Sequence, residues 1–121
     1  MEIKIEKGAT ILDLKRQFAD AYGGLKLEMF KLSHEAGESS NSKMRMSGQE
    51  IVDDVTTVMS PISLTISSKM TVAEVESAFE IQAGLHVHVF RKMRNIWIET
   101  VQTDGYSLDK QMELSSNSVT L

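Results

Sequence analysis

Two stretches of this chain follow one pattern, and that repetition limits the fold more than any other feature. Thr10-Ile11-Leu12-Asp13-Leu14 opens a segment that reaches Phe18, and Thr71-Val72-Ala73-Glu74-Val75 opens one that reaches Phe79. An offset of 61 relates the threonines (71 − 10) and the phenylalanines (79 − 18), and it carries Ile3 and Ile5 onto Leu64 and Ile66. One glycine fewer in the second segment reduces the offset to 60, and Leu25, Leu27, Met29, Phe30 and Lys31 then meet Leu85, Val87, Val89, Phe90 and Arg91. A chain of 121 residues holds one domain with a sizeable core, whereas each half alone falls near the lower limit for autonomous folding. The expectation is a single domain over 1–121 with an internal duplication. Repeat 1 spans about 1–60, repeat 2 about 61–114, and residues 115–121 read as a frayed tail.

Local patterns give each unit its elements. Glu2 to Glu6 alternates polar and apolar residues, the period of a strand. Thr10 supplies an N-cap hydroxyl with Asp13 at the third helical position, and Ile11, Leu14, Phe18 and Ala21 or Tyr22 follow at helical spacing. Gly23-Gly24 ends that helix, and Leu25 to Lys31 alternates again. In the second unit Ser63 to Ser67 reads as a strand. Thr71 and Glu74 then form a capping box, and Val72, Val75, Phe79 and Ala83 line a buried stripe up to Gly84. His86 to Arg91 and Asn95 to Val101 read as a hairpin, and Ser107 to Leu114 as a short helix. Between the units, Ser33 to Lys43 is small and polar and reads as a mobile loop. Ser47 and Glu50 suggest a second capping box before a short helix bearing Ile51, Val52, Val55 and Val58. Gly105 and Leu108 faintly echo Gly48 and Ile51.

The resulting order is βαβ–α–βαββ–α. It implies an α+β (α/β-like) fold with tandem βαβ repeats sharing one core. A helix returning the chain usually makes its flanking strands parallel, so a mixed sheet is expected, with the helices packed on one face. A ferredoxin-like arrangement is the close alternative.

The hairpin is where function is most readable. A turn centred on Met93-Arg94 pairs Arg91 with Ile96, Phe90 with Trp97, Val89 with Ile98 and His88 with Glu99. His86, His88, Phe90, Trp97 and Glu99 then point away from the helices. Phe90 and Trp97, with Phe30 at the matching place in the first unit, need cover from elsewhere in the chain or from a second molecule. The same rings could stack bases while Arg91, Lys92 and Arg94 hold phosphates, the alternative of single-stranded nucleic-acid binding. Against it stand the net charge of −4 and the lack of a glycine-containing aromatic motif. A second alternative is metal binding at His86, His88 and Glu99, where the plainer reading is a surface pair of His88 with Glu99. His34 lies in the polar loop, away from them.

Other chemistry is excluded or unsupported. With no cysteine there is no disulfide, thiolate metal site or cysteine nucleophile. Gly23-Gly24 follows a helix instead of preceding one, so it is no phosphate loop, and no nucleophile elbow occurs. Asp53-Asp54 and Asp104-Gly105 read as helix-end and turn residues. No catalytic residue and no cofactor is expected. No apolar run approaches the roughly 20 residues that span a bilayer, and no signal peptide is visible, so a cytoplasmic location without membrane contact is the expectation.

The second unit also resembles a family of small, uncharacterised bacterial proteins. The residues that carry the likeness are Met70-Thr71-Val72-Ala73-Glu74-Val75-Glu76, Gly84-Leu85-His86-Val87-His88-Val89-Phe90-Arg91, Asn95-Ile96-Trp97-Ile98-Glu99-Thr100 and Thr103-Asp104. The family's hairpin turn carries Ser-Gly-Asn where this chain has Met93-Arg94-Asn95. Its next element reads Asp-Asp-Trp-Thr-Leu where this chain has Asp104-Gly105-Tyr106-Ser107-Leu108. The resemblance covers the second half well and the first half loosely. It implies a compact soluble bacterial α/β domain and transfers no activity. The function expected is protein–protein association, including homodimerisation, through the sheet face bearing Phe30, Phe90 and Trp97.

Overall fold

A computed structural model describes residues 1–31 and 44–117. The Ser33–Lys43 loop with His34, and residues 118–121 of the expected tail, lie outside the described residues. The elements run β1 (Glu2–Ile5), α1 (Ile11–Ala21), β2 (Leu25–Phe30), α2 (Val52–Val55), β3 (Ile62–Thr65), α3 (Val72–Ala83), β4 (His86–Met93), β5 (Ile96–Glu99), a 3₁₀ turn (Val101–Thr103) and α4 (Leu108–Asn117). The fold is α+β, with the expected order of elements.

Capping fixes both long helices. Asp13 donates its amide to Thr10 Oγ1 at 3.2 Å, and Thr10 returns its own to Asp13 Oδ2 at 2.9 Å. Thr71 and Glu74 repeat the exchange at 3.0 and 3.1 Å. Two further free amides of each helix find carbonyls in a later loop, which satisfies donors that a helix start otherwise leaves to water. Ile11 and Leu12 donate to Glu50 and Gly48, while Val72 and Ala73 donate to Tyr106 and Asp104. The return bonds match as well: Val52 donates to Ala9, and Leu108 to Met70. The echo between the two loops thus equates Gly48 with Asp104 and Val52 with Leu108, one residue away from the match expected from Gly105. Ser47 and Glu50 do bond to each other, but they close the loop before Ile51 and do not cap α2. At the helix ends, α3 stops at Gly84 with φ 64°, and α1 stops at Tyr22, two residues before Gly24 with φ 83°. The last helix reaches Asn117, beyond the point where fraying was expected.

Strand pairing departs from the mixed sheet. Among the described residues every ladder is antiparallel, and the strands form two sheets, β1-β3 and β2-β4-β5. The strands flanking α1 lie in different sheets, as do those flanking α3, so neither unit closes a parallel βαβ crossover and no ferredoxin-like sheet forms. β1 and β2 each pair instead with the strand that the sequence offset equates with it, β3 and β4. Ile3 stands opposite Leu64, its match at 61, and Glu28 stands opposite His88, its match at 60. Both ladders are therefore symmetric about a matched pair.

One face of each sheet meets the helices. Ile3, Ile5, Leu64 and Ile66 come from the small sheet, and Leu25, Leu27, Met29, Leu85, Val87 and Val89 from the larger one. They join Ile11, Leu14, Phe18, Val72, Val75, Phe79 and Ala83 in a single apolar cluster. Leu14 and Val75 are fully buried in it. At about 25 cal/mol per Å² of apolar surface removed from water, such a cluster is the main stabilising term. Among the described residues no helix is long and apolar enough to cross a membrane.

Candidate functional site

The outer face of β2-β4-β5 carries most of the residues singled out from sequence. Its hairpin turns through Arg94-Asn95, with Met93 opposite Ile96, not through Met93-Arg94. Arg94 takes φ 59° to make that turn. Each β5 partner moves by two residues, so the faces stay as expected while the pairs change. Phe90 stands opposite Glu99, and Trp97 opposite Lys92. The expected Phe90–Trp97 and His88–Glu99 cross-strand pairs do not form.

Two of the three expected surface rings are covered by their own chain. Phe30 is 2% exposed and Phe90 7%. The reason is Arg45, which sequence reasoning missed. Residue 45 bridges to Phe30 at the edge of β2, and its guanidinium lies 5.7 Å from the Phe30 ring centre and 5.3 Å from that of Phe90. The Lys26 ammonium completes the cover, 5.7 Å from Phe90 and 4.7 Å from Trp97. Cations over ring faces are attracted by the ring quadrupole, and their aliphatic stems exclude water. Trp97 remains 38% exposed on the outermost strand, with Lys92 Nζ 6.0 Å from its ring. Strand alternation alone put Lys26 and Glu28 on this face. Nothing in the pattern signalled Arg45, which follows the polar loop.

A row of charged groups crosses the same face. Lys15 of α1 reaches Glu28 at 2.6 Å, with Lys26 at 3.3 Å and Arg45 at 3.5 Å from the same carboxylate. Across the ladder stands His88, whose Nδ1 lies 3.7 Å from Glu76 of α3. Glu76 also accepts the Val89 amide at 3.0 Å. Lys15 and Glu76 are matched by the offset of 61, so equivalent helix positions serve equivalent strand positions with different charges. Burial would raise the Glu28 carboxyl, but the Lys15 and Lys26 ammonium groups outweigh it and hold the group below its ordinary range. The Glu76 carboxylate raises His88 against the effect of burial, with Glu99 adding to it. Burial and the neighbouring His88 lower His86.

The remaining sequence candidates separate. Arg91 is buried on the helix side, where it donates to Gln111 Oε1 at 2.5 Å. Gln111, itself buried, donates to Thr103 O at 2.8 Å. Arg91 thus ties α4 to β4 and is turned away from any phosphate on the outer face. Lys92 and Arg94 are exposed. Of the three aromatic rings expected on this face, Trp97 alone stays accessible, since Phe30 and Phe90 are covered. His86 and His88 are neighbours at 4.9 Å between ring centres. Among the described residues, however, no three His, Asp or Glu side chains are grouped to hold a metal ion, so His86, His88 and Glu99 are not assembled as ligands. A shallow depression of about 250 Å³ lies beside Phe30, Lys31, Met46, Val55, Leu85 and His86.

Comparison with known proteins finds no matching family model, no similar curated protein and no similar solved structure.

Proposed function

We propose that this chain is a non-enzymatic association module that binds a protein surface, a second copy of itself included, through the β4–β5 side of the outer sheet face. The observation that carries this reading is Trp97. It is a large ring held partly in water on an edge strand, with two ammonium groups beside it. Trp is among the side chains that dominate binding energy when an interface closes over them. Phe30 and Phe90 are buried on the same face and offer no surface to a partner. Light scattering after size exclusion tests the reading. The wild type is expected at about twice its 13.5 kDa at high concentration, and Trp97→Ala at the monomer mass. A wild type that stays monomeric at every concentration would overturn self-association.

The rival reading, single-stranded nucleic acid on Trp97 with Lys92, Arg94 and Lys26, predicts a salt-dependent mobility shift that those lysines control. It has less support, because on this face, among the described residues, Phe30 and Phe90 are covered and Trp97 is left to stack on. We also read the two matched segments as an internal duplication in a bacterial, cytoplasmic protein. The symmetric registers about Ile3–Leu64 and Glu28–His88 support the duplication, and the family resemblance supports the bacterial source.

A further inference from the structure

The outer edge of β5 is left open in a way that suits a particular occupant. Thr100 donates its amide to Val89 O at 3.2 Å, so alternation directs the amides of Ile96 and Ile98 toward β4. The N–H and C=O groups of Trp97 and Glu99 therefore point outward, and among the described residues no strand pairs with them. Edge strands are usually blunted by shortness, a charge, a proline or a bulge. β5 has four residues and one charge, Glu99, but no proline and no bulge, and Ile96 and Trp97 are both exposed. Such an edge can template another strand.

We infer that β5 pairs antiparallel with β5 of a second copy about a two-fold axis through Ile98, joining two three-stranded sheets into one of six strands. The inference rests on the association reading above. Three features favour a second copy over an unrelated strand. The outward groups sit at residues 97 and 99, and a two-fold at Ile98 places Trp97 opposite Glu99 of the second copy, the one arrangement in which both hydrogen-bonding pairs form from identical strands. Glu99 has no ion-pair partner of its own among the described residues, while Lys26 and Lys92 stand 4.7 and 6.0 Å from the Trp97 ring. An axis at Ile98 sets each Glu99 carboxylate in one row with Trp97 and Lys92 of the other copy, whereas Lys26 is already held by Glu28. The chain also already pairs equivalent strands in this manner, β1 with β3 and β2 with β4. A contact built on four residues per strand is smaller than the roughly 1,600 Å² of a standard interface.

The chain has no cysteine, which makes cross-linking a direct test. Across the proposed axis the two Ile98 Cα atoms would stand about 4.5 Å apart, within the span of a disulfide. Ile98→Cys is expected to form an intermolecular disulfide under mild oxidation far faster than Ser77→Cys, an exposed site on α3. Glu99→Pro removes one outward amide without taking a bond from the β4–β5 ladder, and Glu99→Lys sets like charges together. Each is expected to weaken the dimer tenfold or more with the circular dichroism spectrum unchanged. If Trp97→Ala dissociates a wild-type dimer while Ile98→Cys fails to cross-link and Glu99→Pro has no effect, the edge pairing is wrong and association through the face stands. A wild type that is monomeric throughout overturns both. A monomeric chain that captures an extended peptide, and loses it in Glu99→Pro, overturns the second copy as the occupant.

Discussion

Glu28→Gln removes one charge and almost no volume at the centre of the outer face. The wild-type carboxylate is nearly buried and meets Lys15 at 2.6 Å, Lys26 at 3.3 Å and Arg45 at 3.5 Å. Stranding a fully buried partner costs about 3–5 kcal/mol, and losing an exposed pair costs about 0–1 kcal/mol. The three cations each keep a fifth or more of their side chains in water, so they rehydrate once the charge is gone. The loss should therefore match that of charged hydrogen bonds, about 1.5–3 kcal/mol at pH 7. For a domain of this size that lowers the melting temperature by roughly 5–12 °C. The pH dependence gives the sharper check. Glu28 is depressed below its ordinary 4.5 in the folded state, so its contribution is complete above that value and is lost as pH falls through the folded pKa. Urea titrations of both proteins at pH 7, 5 and 3 should show the gap between them closing at the acid end. A gap that is constant with pH, or a Glu28→Gln protein as stable as wild type at pH 7, would refute the account of this carboxylate as an ion-paired centre.

Three further outcomes follow from the same structure. Phe18→Ala and Phe79→Ala empty matched, fully buried positions in one cluster, and each should cost about 3–5 kcal/mol by urea unfolding; a cost under 1 kcal/mol at either would mean that the two halves do not share the core equally. Arg94→Gly should stabilise the hairpin by about 1 kcal/mol, because glycine adopts the φ of 59° without the steric cost a side chain bears there, and a lower melting temperature would count against this turn. In an NMR titration His88 should protonate above His86, and Glu76→Gln should bring His88 down toward its ordinary 6.5. The stabilisation from His88 is present below 6.5 and fades as pH rises through its folded value, so a His88 midpoint below that of His86 would contradict the placement of Glu76.

What the sequence could reveal depended on how local the determining physics was. Thr10, Thr71 and Gly84 act within one helical turn, and their caps could be read directly. The alternation in β2 and β4 told which side chains share a face, and that held for Phe90 and Trp97 even where the turn had slipped by a residue. Alternation does not say which strand lies alongside, so the antiparallel pairing of β1 with β3 was hidden behind the usual preference of a βαβ unit for parallel strands. The aromatic face shows the same limit. Phe30 and Phe90 looked in need of a partner because their cover, Arg45, comes from beyond a polar loop that carries no apolar period. Arg91 was misplaced for a different reason: its charge drew it to the list of phosphate contacts, although its position in the alternation already put it on the helix side with Val89. A cationic side chain can be a buried tie when a buried amide such as Gln111 receives it. Once Arg45 and Lys26 close over the two phenylalanines, the unmet demand for cover contracts to Trp97 and the open edge of β5. The case for association therefore rests on one strand with three apolar residues and two outward amides, and no longer on a broad aromatic sheet.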